Sequence, residues 1–355
     1  MEAGFRFWCR LLACCVVVSA TVAARAATSD NQRPAAHARV VVDEVGRRVT
    51  IPDEVHRVVS LAPNLTETVY ALGLEDDLAG DTDYCDYPAE AKKKPHVGGS
   101  MNPSLEAILA LKPDLVLATT VANRRDTVTA LERLGIAVYT TAPQTVEGTL
   151  AEIRTIATLL GRQSAGEELA QRLQERLDAI QKKLAGSAPT RVLFVVWEDP
   201  LITVGRGTFI ADALKWAGAE SVVDSKQNWP RISLEEAVRL KPEYLVFAGE
   251  QNQSEARVLA ELRSRAGLRS LPAVEQGRVA VISEAVDRPA PRLVDAIEEL
   301  AEKLHPERFG RKENAGVKTA NGKAPVSEDE TNRGDSHRRP WGSFTVPAAS
   351  NACSR

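Results

Sequence analysis

Two glutamates stand at matched places in a repeated unit. The stretch "SLEAILALKPDLVLA" runs from Ser104 to Ala118 and "SLEEAVRLKPEYLVF" from Ser233 to Phe247. They align without a gap at an offset of 129 residues, with six of fifteen positions identical. Glu106 and Glu235 are the third residue of each copy, and Asp114 answers to Glu243. Local physics accounts for both as first-turn helix acids, which the macrodipole favours by about 0.3–1 kcal/mol. No carboxylate pair or nucleophile–base set occurs at a recognisable spacing. His37, His56, His96, His305 and His337 show no pairing at metal-ligand spacing. The chain holds no G-x-S-x-G, H-E-x-x-H or P-loop pattern. Gly205-Arg206-Gly207 ahead of a helix has the form of an anion-binding turn, although a tight turn is the commoner cause. Asn64-Leu65-Thr66 fits the glycosylation pattern but falls at a predicted helix start. No catalytic residue, metal site or cofactor is expected; an exported two-lobe enzyme would need a set assembled only in space.

The elements that must position these residues read as two α/β halves. "ARVVVDEVGRRVTIP" predicts a hairpin around Gly46, "RVVSLAP" a buried strand, and "NLTETVYALGL" a helix capped by Asn64 and ended by Gly73. In the first repeat Ser104 caps a helix, Lys112-Pro113 stops it, and "DLVLATT" is a strand. Apolar residues from Val146 to Leu160 recur at helical spacing up to Gly161. Ser164 with Glu167 has the capping-box form. Leu169, Leu173, Leu177, Ile180 and Leu184 then make one stripe on a long helix. The second half repeats strand and helix from "RVLFVVW" to the helix in "PAPRLVDAIEELAEKLHPERF". The fold class expected is α/β: two similar lobes with mostly parallel central sheets, joined by a single backbone helix. The boundaries are 38–145 for the first lobe, 146–185 for the helical connector with its backbone helix at 165–185, and 186–310 for the second lobe.

Outside the lobes the chain announces its compartment. Arg6 and Arg10 precede the apolar run Leu11 to Ala24, and Ala24-Arg25-Ala26 is an A-x-A cleavage pattern, so residues 1–26 read as a secretory signal followed by a linker, 27–37. Leu11-Leu12-Ala13-Cys14 has lipid-anchor chemistry, but almost no hydrophobic run precedes the cysteine, which argues against an anchor. Cleavage would leave only Cys85 and Cys353, at most one bridge, so a disulfide scaffold is excluded. Residues 311–355 lack apolar periodicity and are expected to be a disordered tail. With 355 residues, 44% apolar, 26% charged and a net charge of −3, the chain has the make-up of an exported soluble protein and argues against a nucleic-acid partner.

This order of parts resembles the periplasmic substrate-binding proteins of ABC importers that have one helical backbone between lobes, the set handling cobalamin, ferric siderophores and haem. The resemblance spans roughly residues 38–310 and rests on "RVVSLAPNLTETVYALG", "DTDYCDYP", "NPSLEAILALKPDLVLA", "NWPRISLEEAVRLKP" and "DRPAPRLVDAIEEL". Tyr84 to Pro88 and Trp229-Pro230 lean toward the cobalamin-binding members. It implies a periplasmic monomer that captures a small molecule in the cleft between lobes, cobalamin first among candidates, and hands it to a permease with its cytoplasmic ATPase. Glu106 and Glu235 match the acids that each lobe presents to permease arginines, pairs that raise on-rate and fix orientation more than they add affinity. Tyr84, Trp197, Trp229 and Arg288 match cleft-lining positions. Trp216 is expected in the core. Gly99-Ser100-Met101 stands where the cobalamin-binding members place a ligand-facing tryptophan. A haem or ferric-siderophore guest therefore stays open, with Tyr84 as an axial ligand or Arg124, Arg125, Arg206 and Arg288 as anion receptors.

Overall fold

The computed structural model describes residues 37–249, 254–265 and 267–310. The signal, Cys14, the Ala26 cleavage, most of the linker, the 311–355 tail and any Cys85–Cys353 bridge lie outside the described residues. In chain order the strands are β1 (Ala38–Val42), β2 (Arg48–Pro52), β3 (Val58–Ser60), β4 (Leu78–Gly80), β5 (Gly98–Gly99), β6 (Asn102–Pro103), β7 (Leu115–Thr119), β8 (Val138–Thr141), β9 (Thr190–Val195), β10 (Trp197–Glu198), β11 (Leu201–Ile202), β12 (Ala219–Ser221), β13 (Tyr244–Gly249) and β14 (Val279–Ser283). The α-helices are α1 (Pro63–Ala71), α2 (Leu105–Ala110), α3 (Arg125–Arg133), α4 (Val146–Leu159), α5 (Gln163–Leu184), α6 (Phe209–Trp216), α7 (Leu234–Leu240), α8 (Glu255–Ser264), α9 (Pro272–Glu275) and α10 (Leu293–Leu304).

Two four-stranded parallel sheets form, ordered β4-β3-β7-β8 and β12-β9-β13-β14. In each lobe the first strand lies inside the second and the third pairs with the first, so the two topologies are the same. The repeat extends to single hydrogen bonds. The Asp114 amide donates to Arg57 O at 2.8 Å, and the Glu243 amide to Arg191 O at 2.7 Å. The Arg57 guanidinium donates to Leu111 O at 2.7 Å, and that of Arg191 to Leu240 O at 2.9 Å, so each lobe closes the end of its acidic helix with the arginine that opens its first strand. Lys112 and Lys241 both take left-handed backbone, φ 48° and 49°, immediately before a proline.

The lobes meet through α4 and α5. The five stripe residues of α5, Leu169 to Leu184, are all buried, each worth about 1.5–3 kcal/mol on leaving water. At 22 residues the helix is about 33 Å long. It starts at Gln163, capped by Arg162 without a side-chain bond, so the capping box expected from Ser164 and Glu167 does not form: the turn at Gly161, φ 71°, starts the helix early and leaves Ser164 within its first turn. Gly166 lies against α4, where a Cβ would come 2.3 Å from Ala157 Cβ. One apolar cluster runs from the first sheet (Val58, Leu117) through Ile153, Ile156, Leu173 and Leu177 to Phe194 and Val246 of the second. Each lobe adds a smaller cluster on the other face of its sheet.

Candidate functional site

The cavity lies where strands end. Its walls come from Pro63 and Asn64 after β3, Asp83 and Tyr84 after β4, Gly99 to Asn102 at the β5–β6 turn, Val121 and Ala122 after β7, and Glu284, Asp287, Arg288 and Pro289 after β14. The carboxyl ends of parallel strands are where α/β sheets hold ligands, because the loops there are free to vary on a fixed frame. The volume is about 360 Å³. The first four groups belong to one lobe and the last to the other, so the cavity is interlobe.

Tyr84 and Arg288 both line this cavity. Tyr84 is 47% exposed, and its ring lies 3.4 Å from where a Gly99 Cβ would be, so glycine in place of a larger residue is what lets the ring lie against that wall. Trp197 and Trp229 are not among the lining residues. Trp197 is fixed at the short β10–β11 hairpin with its indole N–H on Asp199 O at 2.8 Å, and Trp229 packs against the main apolar cluster. Trp216 is partly buried against that cluster too. The helix after β3 starts at Pro63 rather than at an Asn64 cap, since proline suits the first helical position. Asn64 is turned inward, donating to Glu152 Oε1 at 3.3 Å, which also removes it as a glycosylation site. Desolvation raises Glu152 well above an ordinary carboxyl, with Glu44 adding to the effect, and bonds from Thr141 and Asn64 oppose it.

Arg288 does not reach the cavity as an idle cation. Its Nη1 donates to Glu67 Oε1 at 3.0 Å and to Asp86 Oδ1 at 2.7 Å. Arg292, four residues on, grips the same Glu67 with two bonds of 2.9 and 2.7 Å, and its guanidinium stacks 3.6 Å above the Tyr87 ring. Glu67, Asp86 and Tyr87 belong to the first lobe and both arginines to the second, so this network ties the lobes beside the cavity. The Glu67 side chain is only 2% exposed. Burial works against the charge of Arg288, but Asp86 and Glu67 outweigh it and hold the guanidinium protonated more firmly than usual. Burial would likewise raise Asp86, yet the Arg288 bond and charge keep it below the usual carboxylate range. Asp287 carries the opposite effect: desolvation pushes it up to about 7, Glu284 adds to this and Arg288 opposes it. Sequence reasoning missed Glu67, Asp86, Arg292, Glu284 and Asp287. The signal available was the pair of arginines, Arg288 and Arg292, just ahead of α10.

The other candidates have structural partners. Gly205 approaches the backbone of Gln227 so closely that a Cβ would overlap its carbonyl oxygen, and Arg206 pairs with Asp224 at 2.7 Å, which makes the glycine-flanked turn a packing device. Arg124 donates to Asn102 Oδ1 at 3.3 Å. Asp81, pushed up to about 6 by desolvation against the opposing bond from His96, accepts from His96 Nδ1 at 2.8 Å. Among the described residues no three His, Cys, Asp or Glu side chains are grouped to hold a metal ion, and no helix is long and apolar enough to cross a membrane.

Glu106 and Glu235 are both exposed in the first turn of their helices, α2 and α7. Ser104 and Ser233 cap these helices in the same way, each hydroxyl accepting at 3.1 Å from the amide three residues on. Bonds from its own backbone and from Ser233 hold Glu235 below its ordinary value, so it is an anion at neutral pH. Neither acid lines the cavity.

Comparison with known proteins bears on the whole arrangement. The family described as periplasmic binding protein matches residues 58–286. The vitamin B12-binding protein of Vibrio cholerae is 28% identical over 251 residues, 70% of this chain and 89% of that protein. The crystal structure of the periplasmic vitamin B12-binding protein of Vibrio cholerae superposes with a TM-score of 0.63 at 27% identity, covering 71% of this chain and 97% of that one. A periplasmic haem-binding protein from Pseudomonas aeruginosa gives a TM-score of 0.62 at 27% identity, covering 71% and 93%.

Proposed function

Because the chain belongs to the periplasmic binding protein family, we propose that it captures a cobalamin-like corrinoid outside the cytoplasm and delivers it to an ABC import permease. The observation that carries this reading is the interlobe cavity at the strand ends, with the Tyr84 ring on one wall and polar groups around it. A flat, partly apolar macrocycle needs an aromatic face and a few directing polar groups, and little else. Likeness to the vitamin B12-binding protein of Vibrio cholerae supports a corrinoid guest. Glu106 and Glu235, equivalent acids on two rigid lobes, suit arginines on the two halves of a symmetric permease. The signal at 1–26 would place the protein in the periplasm. No chemistry on the ligand is required of it.

Calorimetric titration of the purified protein with cyanocobalamin, haem and ferric siderophores tests the reading. Heat with cyanocobalamin is expected, and none with any corrinoid would end it. The double variant Glu106→Ala/Glu235→Ala is expected to bind cyanocobalamin as the parent does while uptake in cells is lost. A collapse of binding would remove the docking role.

A second reading has one observation in its favour. Tyr84 lines the cavity, a phenolate oxygen is a known axial ligand of ferric haem, and the Pseudomonas aeruginosa structure is that of a haem-binding protein. A haem guest held this way would show a charge-transfer band that disappears in Tyr84→Phe.

A further inference from the structure

We infer that Glu67 and Asp86 are positioning residues for the guest: by taking both hydrogens of one Arg288 nitrogen they turn the opposite edge of the guanidinium to the cavity, where it receives a single oxyanion of the guest. The inference rests on the reading above in one respect, that a macrocycle occupies the interlobe cavity.

Three observations carry it. Arg288 Nη1 has two hydrogens, and they go to Glu67 Oε1 at 3.0 Å and to Asp86 Oδ1 at 2.7 Å. Among the described residues Nε and Nη2 have no partner, and neither is shut away from solvent. These two nitrogens share the other edge of the planar group, the edge that grips both oxygens of a carboxylate or phosphate side by side. Arg288 is also the one cation among the described residues lining the cavity, where Asp83, Glu284 and Asp287 stand as well. An oxyanion is therefore received at one place and not along the wall at large. Neither Glu67 nor Asp86 lines the cavity, so each reaches the guest only through the arginine. Both are well anchored: Arg292 holds Glu67 with two bonds, and Asp86 lies two residues beyond Tyr84 in the loop that supplies the ring. A loose arginine would give up rotamer freedom on binding, and one fixed beforehand does not, so the two acids add affinity without touching the guest.

The sign of one substitution separates positioning from plain charge. Were Asp86 only an offset to the Arg288 charge, Asp86→Ala would strengthen binding of an oxyanion; as a positioning residue its loss weakens it. The Asp86 side chain is 38% exposed, so truncation opens no buried cavity. Two guest pairs are titrated by calorimetry at neutral pH: cyanocobalamin, which carries a phosphodiester, with cobinamide, which lacks it, and haem, which carries carboxylates, with its dimethyl ester. In the parent the oxyanion-bearing member of at least one pair is expected to bind about tenfold or more tightly than its partner. In Asp86→Ala that margin is expected to fall to about threefold or less, while the guest without the oxyanion keeps its affinity within about twofold. Asp86→Asn, whose amide oxygen still accepts from Nη1, is expected to retain the margin. An unchanged or wider margin in Asp86→Ala overturns the inference. So does the absence of a margin in both pairs with the parent protein, a comparison that needs no variant to fold; if cyanocobalamin and cobinamide then bind equally well, the corrinoid reading stands without it. If neither corrinoid binds but haem binds more tightly than its ester, and Asp86→Ala loses that margin, the corrinoid reading fails and positioning stands. If none of the four guests binds, both fail.

Discussion

At the scale of single residues, the ion-pair network beside the cavity decides more than any aromatic does. Glu67 is nearly inaccessible to water and is paired with two guanidinium groups. Truncating one partner leaves a buried charge poorly compensated, which is the expensive way to break an ion pair. Arg292→Ala removes two of the three guanidinium bonds to Glu67 and the stack on Tyr87. It is expected to lower unfolding stability by about 2–3 kcal/mol in a urea titration, and a loss below 0.5 kcal/mol would show the network to be incidental. Asp287 gives a pH-dependent counterpart. Its folded value of about 7 exceeds its ordinary 3.8, so the native state holds this proton more tightly than the unfolded chain. The penalty is therefore absent below about pH 4 and grows as the pH rises toward 7. Asp287→Asn is expected to be more stable than the parent by about 2 kcal/mol at pH 8. The advantage should shrink to nothing as the pH falls toward 4, and calorimetric Tm values across that range would check it.

At the scale of elements, the connection between lobes hangs on how closely α4 and α5 approach. Gly166 faces Ala157 across that contact with no room for a Cβ, and a methyl side chain cannot swing away. Gly166→Ala would gain helix propensity of up to about 1 kcal/mol yet is expected to be net destabilising by about 1–2 kcal/mol, since the helices must part. Chemical denaturation measures it directly, and a stabilised variant would contradict the packing. Elements of this kind were the most legible in the sequence. The α5 stripe, the repeated helix–strand unit and the strand runs all carry strong periodicity, and periodicity is local. Caps were read less well. Ser104 caps its helix as its position suggests, whereas Asn64 and Ser164 have the form of caps and are not, because Pro63 and Gly161 each start a helix earlier. Tyr84 and Arg288 enter the reading only through the resemblance to a family, and both line the cavity. Glu67, Asp86 and Asp287 were not legible, since an acid in a helix or loop shows its importance only when folding brings an arginine from more than 200 residues away, as Arg288 comes to Glu67 and Asp86.

At the scale of the whole molecule, the continuous apolar cluster through α4 and α5 resists bending between the lobes, and the Glu67–Arg288–Arg292 network fastens them a second time beside the cavity. A hinge that opens widely needs a connector of few contacts, and this one buries one face from Gly166 to Leu184. Small-angle scattering before and after saturation with cyanocobalamin is expected to give radii of gyration within about 1 Å of each other, as a shear of packed elements would. A compaction of several ångströms would mean that the lobes part far more than the packing allows.

The matching left-handed lysines have a consequence for ancestry. A residue that is not glycine, held at positive φ at the same step of both halves, is a costly detail more readily copied than arrived at twice. Copying of one ancestral half, followed by fusion, explains it together with the shared strand order. With the halves in one chain the two walls differ, one offering the Tyr84 phenol and the other the Arg288 guanidinium.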